Sequence, residues 1–392
     1  MAEGIGGGGE TGPTRVVLEG ITVRVLHVIT GLAAGGAEQQ LRDLLRHSRC
    51  EAEVMVLTNA GVLGEEVRSD GTPVTDLGMR GNTDLMALPR LAAFMRRGNF
   101  DVVHAHLYRA CLYGRLAARL AGIPTIVATE HSLAAAMIEG RPVNRPGVRA
   151  LYRAAERLGQ MTIAVSPTVV ELLLRWGVPR DRIRMIPNGI DARAFRFDPG
   201  ERHRVRTALG IPNGARVVGT VGRLAPDRQV ELLVEAVRNL PEVFLLLVGD
   251  GSARPALVEL VQRWRMGDRV IFAGESRDIR AMLSAIDVYA TTSSHETFGI
   301  AVLEAVASGL PAVYVTCPAI DDLPDHVFSG VRRVPPDASA VRGAVAEFLA
   351  SPGRLARTIS PTHDISRVAA QVDDLYESLH RTSVAAASKA GA

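Results

Sequence analysis

Short β-branched runs, each followed by a turn and then by a stretch with apolar residues at helical spacing, recur along almost the whole chain. In the first half the strand candidates are residues 23–29, 52–58, 100–106, 124–129, 161–165 and 183–186, and the clearest helix between them is 112–120. Strands separated by helices cannot pair as hairpins, so the alternation predicts a parallel sheet covered on both faces. Ile186-Pro187-Asn188-Gly189-Ile190-Asp191 interrupts it with a strong Asn-Gly turn signal. The alternation then restarts, with strands at 216–222, 242–249, 269–273, 287–291 and 311–315 and a helix over 230–237. A chain of 392 residues is long for one core. Two Rossmann-like units facing each other across a cleft are therefore expected, with ligands at the carboxyl ends of the strands.

Composition narrows the function classes. A net charge of only +3 and the lack of a basic strip with aromatic residues argue against nucleic acid as a partner. Cys50, Cys111 and Cys317 are far apart and odd in number, which fits a reducing compartment and neither a disulfide framework nor a zinc site. Residues 1–14 are glycine-rich without a signal-type apolar core, and no apolar run reaches the roughly 18 residues needed to span a bilayer. The expected location is cytoplasmic, with peripheral contact at the inner face of a membrane left open. Arginine carries nearly all the positive charge, because Lys389 is the single lysine.

Three places carry chemistry. Gly31 and Gly35-Gly36 follow the first strand and precede a helix, where glycine lets a backbone approach a phosphate. His104, His106 and His131 stand at or just beyond strand ends, but no acidic or sulfur ligand lies at a spacing that would complete a zinc site with them. For His104 and His106 a structural role and a site role stay open. The third place is residues 293–311. Ser293-Ser294-His295-Glu296-Thr297-Phe298-Gly299 reads as a loop, Ile300 to Ala307 as an apolar helix, and Gly309 with Pro311 as its stop. Glu304 sits among Ile300, Leu303, Ala305 and Ala307, where a carboxylate would be desolvated unless partnered. The N–H groups of Phe298, Gly299 and Ile300 point a helix dipole at an anionic or hydroxyl-rich ligand.

Glu296 and Glu304 with seven residues between them, Phe298-Gly299 after the first and a Gly-x-Pro exit resemble the donor motif of the retaining GT-B glycosyltransferases of family 4. Pro187-Asn188-Gly189-Ile190-Asp191 is similar to the family's words at the interdomain boundary, and the likeness extends over roughly residues 21–382. It implies that Glu296 and His131 approach the transferred sugar and that Glu304 binds the nucleotide ribose. By the same resemblance Arg223 takes the leaving diphosphate, together with the residue five positions on. The family has Lys then Gly there, whereas this chain has Arg228 then Gln229. Arg keeps the charge but presents a larger planar fork. Glu275 is implied beside the nucleobase.

The implied enzyme is a metal-independent hexosyl- or N-acetylhexosaminyl-transferase with no cofactor, using a nucleotide-diphospho-sugar as co-substrate, UDP-sugar before GDP-sugar. Its acceptor is a hydroxyl on a lipid-linked saccharide, a polysaccharide precursor or a small molecule. A nucleotide-sugar 2-epimerase of the same architecture and a nucleotide-sugar-binding protein without turnover are the alternatives. The implied organisation is a flexible tail over 1–20, an acceptor-side domain over 21–195 and a nucleotide-sugar domain over 196–362. A crossover helix over 363–382 then returns to the first domain, ahead of a frayed tail over 383–392. Arg141, Arg145, Arg149, Arg153 and Arg157 recur at every fourth position, and the sequence favours a solvated helix face paired with Glu156 over a lipid-headgroup patch.

Overall fold

The computed structural model describes residues 23–33, 35–81, 84–131, 133, 137–138, 141–142, 146–323, 330–351, 353–355 and 359–390. The expected tail over 1–20 lies outside them, as do Arg145 and the side chain of Arg141. The first half forms β1 (Arg24–Gly31), β2 (Glu51–Asn59), β3 (Val74–Asp76), β4 (Val102–His106) and β5 (Thr125–Glu130). A two-stranded antiparallel ribbon of β6 (Met137–Ile138) and β7 (Arg141–Pro142) follows, then β8 (Met161–Ala164) and β9 (Ile183–Met185). Apart from the ribbon, these strands make one parallel sheet in the order β3-β2-β1-β4-β5-β8-β9. The second half forms β10 (Arg216–Val221), β11 (Val243–Val248), β12 (Val270–Gly274), β13 (Val288–Thr291), β14 (Ala312–Tyr314) and β15 (Val331–Arg333). They make a second parallel sheet in the order β12-β11-β10-β13-β14-β15.

Both sheets are covered by helices, which is why β4 and β5 are buried along their whole length and why β11 reads Val-Phe-Leu-Leu-Leu-Val. The strand order reverses beside β1 in the first sheet and beside β10 in the second. A crevice therefore opens outside the carboxyl ends of β1 and β4, and another outside β10 and β13. The residues just beyond those ends are His106, Arg223 and the loop that contains Glu296.

The last helix, Ile365–Ala390, returns to the first domain. Val368, Ala369, Val372 and Tyr376 pack on Val25, Leu44, Val102 and Val127. Burying side chains of this size is worth about 1.5–3 kcal/mol each. Asp373, a buried residue of this helix, accepts hydrogen bonds from the Ser48 hydroxyl at 2.7 Å and the Arg49 N–H at 2.8 Å. The helix runs on past Ser383 through Ala390. Val384-Ala385-Ala386-Ala387 explains this, since alanine propagates a helix that is already nucleated. The two connections between domains are bonded to each other, Ile190 N–H to the His363 carbonyl at 2.9 Å and Ile365 N–H to the Ile190 carbonyl at 3.2 Å.

The arginine series needs one correction. Glu156 is buried and pairs with Arg182 at 3.1 Å, not with the arginines of its own helix. Arg149 instead donates to the Arg175 carbonyl, and the Arg153 guanidinium lies against Gly177. Among the described residues no helix is long and apolar enough to cross a membrane.

Candidate active site

β10 ends in Gly222 at φ +144°, and the chain turns through Arg223 into a short 3₁₀ turn, Pro226–Arg228. Thr292, just past β13, anchors that turn: its hydroxyl donates to the Gln229 carbonyl at 2.7 Å and lies 3.2 Å from that of Arg228. The same loop carries Glu296, and the Arg228 Nη1 sits directly on its carboxylate. Burial lowers the Arg228 pKa; Asp227 opposes the shift and Arg223 adds to it. Arg223 is mostly exposed, with Asp227 at 3.6 Å. Two guanidiniums thus flank the carboxyl end of β10, one held by a carboxylate and one turned to solvent.

Gln229 occupies the left-handed region at φ +49° and ψ +39°, and its side-chain Oε1 is buried without a partner among the described residues. The family's glycine belongs at this backbone conformation, and a residue with a Cβ costs about 1–2 kcal/mol there. Gln229→Gly is therefore expected to stabilise the protein by roughly 1 kcal/mol, read as a raised melting temperature. An unchanged or lowered melting temperature would show that the strain is compensated.

Gly299, at φ +94°, starts the helix Ile300–Ala307, and a Cβ there would come 2.5 Å from the Cys317 Sγ. The carbonyl of Phe298 is taken by the Ala319 N–H at 2.9 Å, but among the described residues no acceptor takes the N–H of Phe298, Gly299 or Ile300. The Phe298 ring is buried edge-on against His363 at 5.5 Å. Across the cleft, helix Gly36–His47 meets this helix end to side: a Cβ on Gly36 would lie 3.7 Å from the Ile300 side chain. Gly35 caps that helix on the same side. Farther along the two helices Glu304 comes near Arg42 and Asp43. It is only 5% exposed and accepts no hydrogen bond from the described residues. Burial pushes its carboxyl up to about 8; Asp43 adds to the shift and Arg42 opposes it. Arg42 is itself shared with Asp43 at 2.9 Å and Glu66 at 3.2 Å, so it neutralises Glu304 poorly.

Glu275 is exposed just past Gly274. Beside it Gly249 and Gly251 pass so close to the Gly222 and Leu224 carbonyls that a Cβ on either would collide. This side of the site is backbone.

His131 belongs to the other wall. With Gln40, His104, His106, Thr129 and Asn188 it lines a small cavity at the carboxyl ends of β4, β5, β8 and β9. The His104 nitrogens are bonded to the Tyr376 and Thr129 hydroxyls, and those of His106 to His27 and His131. Leu107, directly after His106, is held at φ +71°, a strain of about 1–3 kcal/mol that fixes how this turn leaves the sheet. Ring nitrogens of His27, His104 and His106 lie within 4.8 Å of one another, a possible metal-ligand set that includes a histidine not weighed in the sequence. The hydrogen bonds just given already occupy both nitrogens of His104 and His106, so a metal would have to displace them.

The structure thus joins Arg228 to Glu296 and places Gly36 against Ile300, while the contacts of His131 are with the histidine group. Sequence reasoning missed His27, Arg42, Asp43 and Ser166. The last had a readable signal: Ser166-Pro167 caps the helix Pro167–Arg175, and its hydroxyl donates across the cleft to the Thr297 carbonyl at 2.9 Å.

Comparison with known proteins identifies the family and the fold. Residues 34–194 match the model of Glycosyltransferase Family 4 and residues 201–363 that of Glycosyl transferases group 1. A D-inositol 3-phosphate glycosyltransferase of Mycobacterium bovis is 30% identical over 351 residues, covering 81% of this chain and 71% of the relative. The Anabaena protein HepE in complex with UDP-glucose superposes with a TM-score of 0.71 at 21% identity, over 93% of this chain and 99% of HepE. A sucrose-phosphate synthase of Thermosynechococcus elongatus gives 0.74 at 21% identity, over 92% of this chain and all of that one. The chain belongs to family 4 of the glycosyltransferases and has their GT-B fold.

Proposed function

We propose that this glycosyltransferase moves a hexosyl or N-acetylhexosaminyl group from a UDP-sugar to a hydroxyl acceptor, with retention and without a metal. The observation that carries the reading is the pair Arg223 and Arg228 at the carboxyl end of β10, with Arg228 held on Glu296, two residues before the open N–H groups of Phe298 to Ile300. Departure of UDP gathers negative charge on its terminal phosphate, and preplaced cations and N–H groups stabilise that charge more than the ground state. As C1 of the sugar leaves the phosphate oxygen and joins the acceptor oxygen, the acceptor proton passes to the departing diphosphate or to water. Glu304 stands where a ribose hydroxyl would donate to it, and Glu296 and His131 stand on the sugar side. HepE, named with UDP-glucose bound, supports a uridine donor. The mycobacterial relative's name adds a phosphorylated polyol to the acceptor classes above.

Isothermal titration of UDP and GDP without added metal, against the native chain, Glu304→Ala and Arg223→Ala, tests the donor half. UDP is expected to bind more tightly than GDP, and each substitution to weaken it about tenfold, the worth of one charge-assisted hydrogen bond. Tighter binding of GDP would overturn the uridine assignment, and native affinity in both variants would overturn the site. Incubation with UDP-glucose alone, read by NMR, separates the rival reactions: slow hydrolysis to glucose supports a transferase, an epimerised sugar does not.

A further inference from the structure

His27, His104 and His106 project from one face of the first sheet, because His27 is in register with His104 and His106 lies two residues on. Thr129 is in register with His106, so His131 continues the same face to the cleft. Three of the four rings are joined nitrogen to nitrogen: His27 Nδ1 to His106 Nε2 at 3.0 Å, and His106 Nδ1 to His131 Nε2 at 3.2 Å. Their centroids lie 5.3 and 5.5 Å apart, the spacing of two rings that meet nitrogen to nitrogen in their own planes. The line ends at His131 Nδ1, which is buried and has no partner among the described residues.

We propose that His27 and His106 are positioning residues, which hold His131 in the tautomer protonated on Nδ1 so that it offers a hydrogen-bond donor to an oxygen of the transferred sugar. The role rests on the reading of His131 as a sugar-side residue. Burial keeps His27, His106 and His131 neutral at physiological pH, so each carries one N–H and one lone pair. Their protons must then point one way along the line. If His27 donates from Nδ1, His106 donates from Nδ1 in turn, and His131 keeps its own proton on Nδ1. The reverse order would put an N–H on His27 Nε2 and a lone pair on His131 Nδ1, so each order leaves one N–H without a protein acceptor among the described residues. In the first order that N–H stands at the cavity, which His131 lines, so a bound oxygen can accept it; in the reverse order it stays on His27, which does not line the cavity, and this favours the first order.

Long-range ¹H–¹⁵N correlation spectra of the full chain labelled at histidine read the tautomer directly. His131 is expected to carry its proton on Nδ1 in the native protein and to lose that preference in His27→Phe and His106→Leu. His106→Asn, whose amide can donate from the Nδ1 position, should restore it. The affinity for UDP-glucose relative to UDP should fall about tenfold in the first two variants and recover in the third, with the affinity for UDP unchanged. A native His131 protonated on Nε2 would overturn the relay, as would a His27→Phe variant with unaltered tautomer and affinity ratio. Stoichiometric transition metal in the purified native protein would overturn it too, assigning His27, His104 and His106 to that ion. If the native chain binds UDP but shows no contribution from glucose, the sugar-side reading fails, and the spectra alone decide whether the relay exists.

Discussion

Arg228→Ala is expected to lower the turnover of donor sugar by about 10²- to 10³-fold, whereas Arg228→Lys stays within about tenfold of the native enzyme. On the proposed site, the alanine variant removes a preplaced cation from the place where phosphate charge accumulates. It also leaves Glu296, whose side chain is only 15% exposed, without the guanidinium that sits on it. Unneutralised, that carboxylate would repel the same diphosphate, so part of the loss should return in Arg228→Ala combined with Glu296→Gln. Lysine restores the charge but not a fork able to hold Glu296 and a phosphate together. Hydrolysis of UDP-glucose supplies the rate until the acceptor is known. Arg228→Ala at native rate would remove this residue from leaving-group stabilisation. Arg228→Lys as slow as the alanine variant would show that the site has become dependent on arginine geometry.

Glu304→Gln is expected to flatten the pH dependence of stability between about pH 4.5 and pH 8. The folded carboxyl titrates near 8, above its unfolded value, so the folded protein binds the extra proton throughout that window. Stability therefore falls as pH rises through it. Glutamine keeps the shape without the ionisation, and at pH 8.5 it should be more stable than the native protein by a few kcal/mol, on the order of the shift converted at 1.36 kcal/mol per unit. Thermal melting of both proteins without nucleotide at pH 5 and pH 8.5 provides the difference, and parallel curves would show that Glu304 titrates normally. If a ribose hydroxyl donates to this carboxylate, the ligand favours the ionised form and nucleotide binding near neutral pH releases a proton. Titrations in buffers of different ionisation enthalpy would detect it.

Much of the fold was legible because parallel strands buried on both faces are written as nearly continuous apolar runs, and β4, β5, β10, β11 and β13 all read that way. The edge strands β3 and β15 did not, being only three residues each and partly exposed. The motif residues Glu296, Phe298, Gly299 and Glu304 were readable because their order along the chain is their order in space. Arg42 and Asp43 were not, since nothing local marks a surface-like Arg-Asp pair as the neighbour of a carboxylate in the other domain. Gln229 shows the opposite case: its departure from the family's glycine is visible in the sequence, and the left-handed backbone gives that departure its physical meaning.

The bond between the two interdomain connections limits how this enzyme can open. Chains that cross separately allow twisting as well as bending. Here Ile190 and the His363–Ile365 segment are stitched into one strap, which favours a single rotation about a line through it. Phe298 leans on His363 and so lies close to that axis, whereas the outer wall near Glu275 lies on the far side of the second sheet. An opening motion would swing the wall that carries Glu275 widely and leave the loop that carries Glu296 nearly still. On the proposed site, the donor exchanges by a door that turns around the Glu296 loop without dismantling it.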